Sequence, residues 1–263
     1  MPRTFKLTVA YDGTHLVGWQ RQRTGTSVQG LLEDALARLA GEPVTVVGAG
    51  RTDAGVHAIG QVASACFETL HDAATLRRAI NAQLPPEVRV RAVEDAPEGF
   101  HARFSATGKK YRYLLLEGED PGPFLWRYVW RVPGRLDLEA MRAAARGLEG
   151  THDFSAFQSA GSDVHHAVRT VTRAAVEAWT GGEPPAPVVA APPGPGERLL
   201  VFEVHAGGFL RHMVRAMAGT LVEIGCGRRL PGDVEGILAG RLRSAAGSTA
   251  PASGLWLVSV DYC

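Results

Sequence analysis

The chain has 263 residues, 45% of them hydrophobic, and a formal net charge of +1. That length suits one large domain or two ordinary ones, and the apolar share excludes a disordered chain. The near-neutral balance excludes a polycation, so any nucleic-acid partner needs a local basic patch.

Taken in chain order, "FKLTVAYDGT" reads as a strand ending in an Asp-Gly turn. Ser27 can cap a helix through "VQGLLEDALARLA", where Leu31, Leu32, Ala35, Leu36 and Leu39 follow helical spacing and Gly41 stops it. "VTVVGAG" and "VHAIGQVASACF" are strands on either side of an Arg-Thr-Asp loop. Asp72 caps a second helix, "AATLRRAINAQL", halted by Pro85-Pro86. "VRVRAVEDA" is the next strand, so the first half reads β-α-β-β-α-β. The second half repeats that grammar. "KKYRYLLLEG" and "RYVWRV" are strands, and Asp137 caps a helix through "LEAMRAAARGLE", followed by Gly150. "VRTVTRAAVEAW" and "RLLVFEVHA" form a hairpin. "FLRHMVRAMAGTLVEIG" is a long helix with Leu210, Met213, Val214, Met217 and Leu221 facing a core. "DVEGILAG" is a short helix and "GLWLVSVDY" a closing strand. The Pro-, Gly- and Ala-rich segment 180–197 reads as an exposed loop without chemistry.

Three stretches carry candidate chemistry. In "GAGRTDAGVHAIGQV", Asp53 fits an Asx-turn, but Arg51 and Asp53 can also face one ligand, since residues i and i+2 of an extended chain point the same way. The glycines do not form G-x-G-x-x-G, and a strand rather than a helix follows, which speaks against a dinucleotide site. In "FHARFSATGKKYRYLLL", Arg103, Lys109, Lys110 and Arg112 interleave with Phe100, Phe104, Tyr111 and Tyr113. Rings stack on bases while cations take phosphates, although a strand with one basic and one aromatic face gives the same pattern. In "HAGGFLRHMVRAMAG", Arg211 and Arg215 lie four apart at a helix start and could attract an anion, or form an ordinary polar stripe.

The nine histidines show no metal-ligand spacing, and Cys66, Cys226 and Cys263 lie far apart, so neither a metal site nor a disulfide framework is expected. There is no Walker A lysine and no G-x-S-x-G elbow. With no apolar signal core at "MPRTFKLTVAYDG" and no window long enough to cross a membrane, the expectation is a cytoplasmic protein.

Together "YDGTHLVGWQRQ", "SVQGLLEDAL", "GAGRTDAGVHAIGQV", "INAQLP", "FHARFSATGKKYRY", "DFSAF", "FLRHMVRAMAGTLVEIG" and "APASGLWLVSVDY" resemble, in order and over nearly the whole chain, the bacterial tRNA pseudouridine synthase A family. The Pro-rich stretch is longer than the resemblance leads one to expect. The resemblance implies an α/β (α+β) pseudouridine synthase fold. Two related domains, 1–105 and 106–263, each a mostly antiparallel sheet flanked by helices, would surround a central RNA-binding cleft. It implies isomerisation of uridine to pseudouridine at positions 38, 39 and 40 of the tRNA anticodon stem-loop, without cofactor or metal, by a homodimer. Asp53 would be the essential catalytic residue and Arg51 the side chain that helps flip the target. Tyr111 would stack on the flipped uracil, Arg215 would pair with Asp53, and Leu255 would form an apolar wall of the pocket. His101, Arg103 and Phe104 would contact tRNA, as could the loop from Ser159 to Val168. A non-catalytic RNA-binding or tRNA-chaperone protein is the competing reading; it would keep the basic-aromatic strand but have no use for Asp53.

Overall fold

Phe5, Leu7, Val9 and Tyr11 alternate with polar or half-exposed neighbours. In the computed structural model of the chain they are the buried positions of strand β1 (Arg3–Tyr11). The structure describes residues 1–118, 122–159, 166–187, 193–194 and 196–263. By internal contact it divides into two units, Met1–Thr107 with Leu257–Cys263, and Gly108–Trp256.

In the first unit, β1 is flanked by β3 (His57–Phe67) and β4 (Val88–Asp95), both antiparallel to it. The short β2 (Val46–Gly48) pairs antiparallel with β3. Helix α1 (Val28–Ala40) starts and stops where its caps dictate. The Ser27 hydroxyl accepts from the Gly30 N–H, and Gly41 ends the helix in the left-handed conformation at φ 77°. Helix α2 (Ala73–Gln83) begins at Asp72, whose carboxylate accepts from the Thr75 N–H. Leu32, Ala35 and Leu36 of α1 and Leu76 and Ile80 of α2 are buried with Phe5, Leu7 and Val9. Burial of this kind stabilises by about 25 cal/mol per Å² of apolar surface. The elements of this unit follow the β-α-β-β-α-β order read from sequence.

By contact, Leu257–Cys263 groups with the first unit rather than with the residues that precede it. The reason is strand pairing: β10 (Leu255–Tyr262) lies next to β3. There the Gly60 backbone approaches so closely that a Cβ would stand 2.2 Å from the Val258 carbonyl oxygen. The Tyr262 hydroxyl also donates to the Ala102 carbonyl at 2.8 Å.

The second unit is built on β5 (Ala106–Glu117), β9 (Arg198–Ala206), β8 (Val168–Trp179) and β7 (Gly150–Asp153), neighbours in that order and all antiparallel. The expected hairpin is the β8–β9 pair. A short β6 (Trp130–Val132) pairs parallel with β5, after a one-turn helix α3 (Gly122–Leu125). Helix α4 (Leu138–Arg146) packs on β8 and on α5 (Met213–Gly225), and α6 (Asp233–Gly240) follows. Both units therefore combine mostly antiparallel strands with helices.

Three boundaries differ from expectation. Helix α4 ends at Arg146 rather than running to Glu149, because Gly147 closes it. The strand expected over "RYVWRV" keeps only its last three residues. The long helix begins at Met213, not Phe209, because His212 is held in the left-handed region at φ 61°, which interrupts a right-handed helix. The His212 ring nitrogen Nδ1 meets the Ser159 hydroxyl at 2.8 Å, and the Ser159 N–H donates to the Arg211 carbonyl at 3.2 Å, so this kink is tied down. Leu210, Met213, Val214, Met217 and Leu221 are all buried, as their spacing implies. Part of the Pro-rich segment and most of the 159–168 loop lie outside the described residues.

Glu117, at the end of β5, is fully buried. Arg198 donates to both its oxygens, at 2.7 and 2.6 Å, and Arg135 and the Leu136 N–H add bonds of 3.1 and 2.9 Å. Burial alone would raise this carboxyl, but the Arg198, Leu136 and Arg135 bonds outweigh it and hold it below the ordinary glutamate range. A group depressed in this way stabilises the fold above its unfolded pKa, and the contribution is lost as pH falls through the lower folded value. Glu117→Ala is expected to cost about 3 kcal/mol, because it strands Arg198 and a buried N–H. Urea unfolding at neutral pH measures this, and the difference from wild type should shrink as the pH is taken below 4.

Candidate active site

Asp53 lies in the connection from β2 to β3, half-buried, with Arg51 exposed beside it. The chain turns at Asp53 through a bond from the Val56 N–H to the Asp53 carbonyl, at 3.2 Å, with Gly55 at φ 78°. That φ is one an L side chain rarely adopts, which accounts for the glycine. The peptides before the turn are gripped from several directions. The Trp19 N–H donates to the Thr52 carbonyl at 3.0 Å, and the Thr52 hydroxyl meets the Tyr11 hydroxyl at 2.8 Å. The Gln61 side-chain amide donates to the Gly50 carbonyl at 2.9 Å and to the Tyr11 hydroxyl at 3.4 Å. Tyr11, Thr52 and Gln61 are all buried. Burial raises the Tyr11 phenol to about 12, against the opposing effect of its bonds to Thr52 and Gln61. It is therefore neutral at any ordinary pH.

The segment Gly18–Trp19 links this loop to α1. Its carbonyls accept from the Val28 and Gln29 N–H groups, at 3.2 and 2.9 Å, so it satisfies the open N-terminus of the helix. Gly18 sits at φ 103°, and a Cβ there would stand 2.6 Å from the Thr52 carbonyl oxygen. Behind the loop, the buried His57 accepts from the Gly13 N–H through Nδ1 at 3.1 Å, and the same nitrogen lies 3.2 Å from an Asp12 carboxylate oxygen.

His101, Arg103 and Phe104 form one small assembly in the first unit. The His101 and Phe104 rings stack at 4.3 Å and 28°, and the Arg103 guanidinium lies 5.6 Å from the centre of the Phe104 ring. His101 Nδ1 accepts from the Arg103 and Phe104 N–H groups, both at 3.2 Å, so its neutral form carries the proton on Nε2. Phe104 is 76% exposed, an unusual state for a large ring.

In the second unit, Tyr111 lies on β5, buried, with Phe209 edge-on at a centroid distance of 5.1 Å. Tyr113, two residues on, donates to the Pro251 carbonyl at 2.6 Å. Burial pushes its phenol up, while the Arg215 charge pulls the other way. Arg215, half-buried on α5, donates through Nε to the Ala250 carbonyl at 2.8 Å and its own carbonyl accepts the Ala250 N–H at 3.1 Å. Leu255 is buried at the start of β10.

Two sequence readings change here. Arg112 pairs with Glu203 at 2.9 Å and donates to the Pro185 carbonyl, so this cation of the basic-aromatic run is engaged within the sheet. Arg211 precedes α5, so Arg211 and Arg215 are not one helical turn apart on a common face. Tyr11, Trp19 and Gln61 fix the loop, and nothing in the sequence reading points to them: all three lie in the stretches that carry the resemblance, but each acts through a bond to a residue distant in sequence, which spacing does not reveal. Among the described residues no group of three or more His, Cys, Asp or Glu side chains could hold a metal ion, and no helix is long and apolar enough to cross a membrane.

Gly18→Ala is expected to destabilise the protein by about 1–3 kcal/mol, because it forces a strained φ and a clash with a backbone oxygen. A thermal melt measures the loss.

The family model for tRNA pseudouridine synthase matches residues 7–105 and 144–263. The chain is 44% identical to a tRNA pseudouridine synthase A of Syntrophotalea carbinolica over 257 residues, covering 98% of this chain and 95% of that protein. It is 46% identical to one of Solidesulfovibrio magneticus, covering 98% and 90%, and 44% identical to one of Myxococcus xanthus, covering 100% and 92%. Among solved structures, a chain of a Cbf5-Nop10-Gar1 complex superposes with a TM-score of 0.35 and 13% identity over 96% of this chain and 48% of that one, a likeness too slight to argue from. The model match and the identities over nearly full length show that the chain belongs to the tRNA pseudouridine synthase family, isomerases that convert uridine to pseudouridine.

Proposed function

We propose that the protein isomerises uridines 38, 39 and 40 of the tRNA anticodon stem-loop, with Asp53 as the essential catalytic residue. The observation that carries this reading is the build of the Asp53 turn, with Asp53 half-buried two residues after the exposed Arg51, on peptides gripped by Tyr11, Trp19 and Gln61. A connection that only reverses the chain needs no such bracing, whereas a carboxylate that must meet one atom of a nucleoside does.

The chemistry balances within the substrate. The bond from N1 to C1′ breaks, the uracil turns, C5 bonds to C1′, the C5 proton leaves and N1 ends protonated. No electrons are gained or lost, so the reading assigns no cofactor and no metal. Asp53 attacks C1′ or C6, or takes the 2′-proton; each role draws on a carboxylate oxygen. Arg51 helps extrude the target, a step that costs a few kcal/mol in unstacking. Tyr111, Arg215 and Leu255 bind the target nucleoside, with Tyr111 as the ring that stacks on the uracil. His101, Arg103 and Phe104 hold the RNA, and their geometry supports this: an exposed ring backed by an imidazole and flanked by a guanidinium is a stacking platform for a base. A cytoplasmic homodimer completes the reading.

Asp53→Asn should abolish tritium release from tRNA labelled at uridine C5 while leaving tRNA affinity close to wild type. Near-normal release overturns the assignment. Tyr111→Phe should keep much of the binding and Tyr111→Ala lose it, and Arg51→Ala should slow turnover. Phe104→Ala should leave the melting temperature unchanged, because the ring is exposed, and weaken tRNA binding by about 1–3 kcal/mol in a filter-binding assay. Mapping pseudouridines after incubation with unmodified tRNA tests the assigned positions directly.

A further inference from the structure

We infer that Tyr11 is a positioning residue for the isomerisation, acting through Thr52 to fix the peptide that carries Asp53. The inference rests on Asp53 being the reacting carboxylate. Tyr11 lies on β1 and touches no part of the Asp53 turn except the Thr52 side chain among the bonds described above, at 2.8 Å. Yet it stands at the junction of two supports. Gln61 reaches it at 3.4 Å with the same amide that holds the Gly50 carbonyl at 2.9 Å. The peptides before and after Arg51 are thus joined through one phenol, while Trp19 holds the Thr52 carbonyl from another side at 3.0 Å.

The hydrogen-bonding capacity of these groups gives the phenol its role. The Gln61 side-chain NH2 can only donate, so the Tyr11 oxygen accepts from it, while the bond between the Tyr11 and Thr52 hydroxyls can run in either direction. The arrangement is buried, with Tyr11 4%, Thr52 7% and Gln61 0% exposed, so no solvent competes for these bonds. A phenylalanine at position 11 would fill the same volume and leave the Thr52 hydroxyl and the Gln61 amide to reorient. The loop would remain, but the Thr52 peptide would then be held by the Trp19 N–H alone. A displacement of about 1 Å at a reacting group can cost on the order of a hundredfold in rate.

Tyr11→Phe and Thr52→Val remove the same bond from opposite ends. Each should lower kcat by at least about tenfold with little change in KM for tRNA, and both proteins should melt within a few degrees of wild type. The double variant should be no slower than the slower single, because the second change has nothing left to remove. Thr52→Ser, which keeps the hydroxyl, should restore most of the kcat lost in Thr52→Val. The kcat deficit of Tyr11→Phe should be the same factor from pH 6 to pH 9, since a phenol that stays neutral acts by its bond and not by its charge. Unchanged kcat in Tyr11→Phe, a loss that appears in KM instead, or simple multiplication of the two effects overturns the proposal. Asp53→Asn run in parallel separates the two readings. If that variant is inactive while Tyr11→Phe is normal, only the positioning role fails; if Asp53→Asn turns over normally, the catalytic reading itself has failed.

Discussion

Thr52 is held at both its polar ends, its carbonyl by the Trp19 N–H and its hydroxyl by the Tyr11 phenol. Loops between strands are ordinarily the least constrained part of a sheet, because nothing obliges their peptides to pair. Here the loop passes through a buried region, so its carbonyls must find donors, and the donors come from segments that are themselves fixed. Trp19 is anchored because its neighbouring carbonyls satisfy the start of α1. Tyr11 is anchored because it ends β1, between β3 and β4. The peptide that leads into Asp53 is thus fixed from a helix terminus and a sheet together.

The second unit solves a related problem with charge. Glu117 is buried where β5 ends, and Arg198 opposite it on β9 supplies two bonds from a guanidinium. The same two strands carry Arg112 and Glu203, paired across the register. Charged residues on β5 therefore hold the sheet together at two levels. Tyr111 and Tyr113, on the face opposite Arg112, are buried, the first edge-on to Phe209 and the second bonded to the Pro251 carbonyl.

Elements whose cause is local were legible. Ser27, Gly41 and Asp72 mark helix ends because the capping bond is made within a few residues. The start of α5 was not, since the apolar spacing runs unbroken through Leu210 and the interruption lies in the backbone of His212, which Ser159 helps hold. The basic-aromatic strand was ambiguous for a different reason. Alternation places Arg112 and Tyr111 on opposite faces but cannot tell that Glu203, far along the chain, will take the arginine. Asp53, Arg51 and Tyr111 came forward through the resemblance, not through their spacing alone. Tyr11 and Gln61 read as ordinary strand residues because nothing in a one-dimensional pattern separates a tyrosine that packs from one that also holds a loop in place.

The placement of Leu257–Cys263 beside β3 bears on the order in which the protein can be made. A ribosome releases residues 1–107 first, and they contain both helices of the first unit, but the strand that borders β3 emerges only after all of 108–256. Until then the part of the β3 edge that β2 does not cover, and the Ala102 carbonyl, lack their partners. An exposed strand edge invites pairing with other chains. The second unit, by contrast, has its hairpin and helices in continuous sequence. Synthesis should therefore produce a folded second unit trailing an unfinished first one, and the unit that carries Asp53 would be completed last.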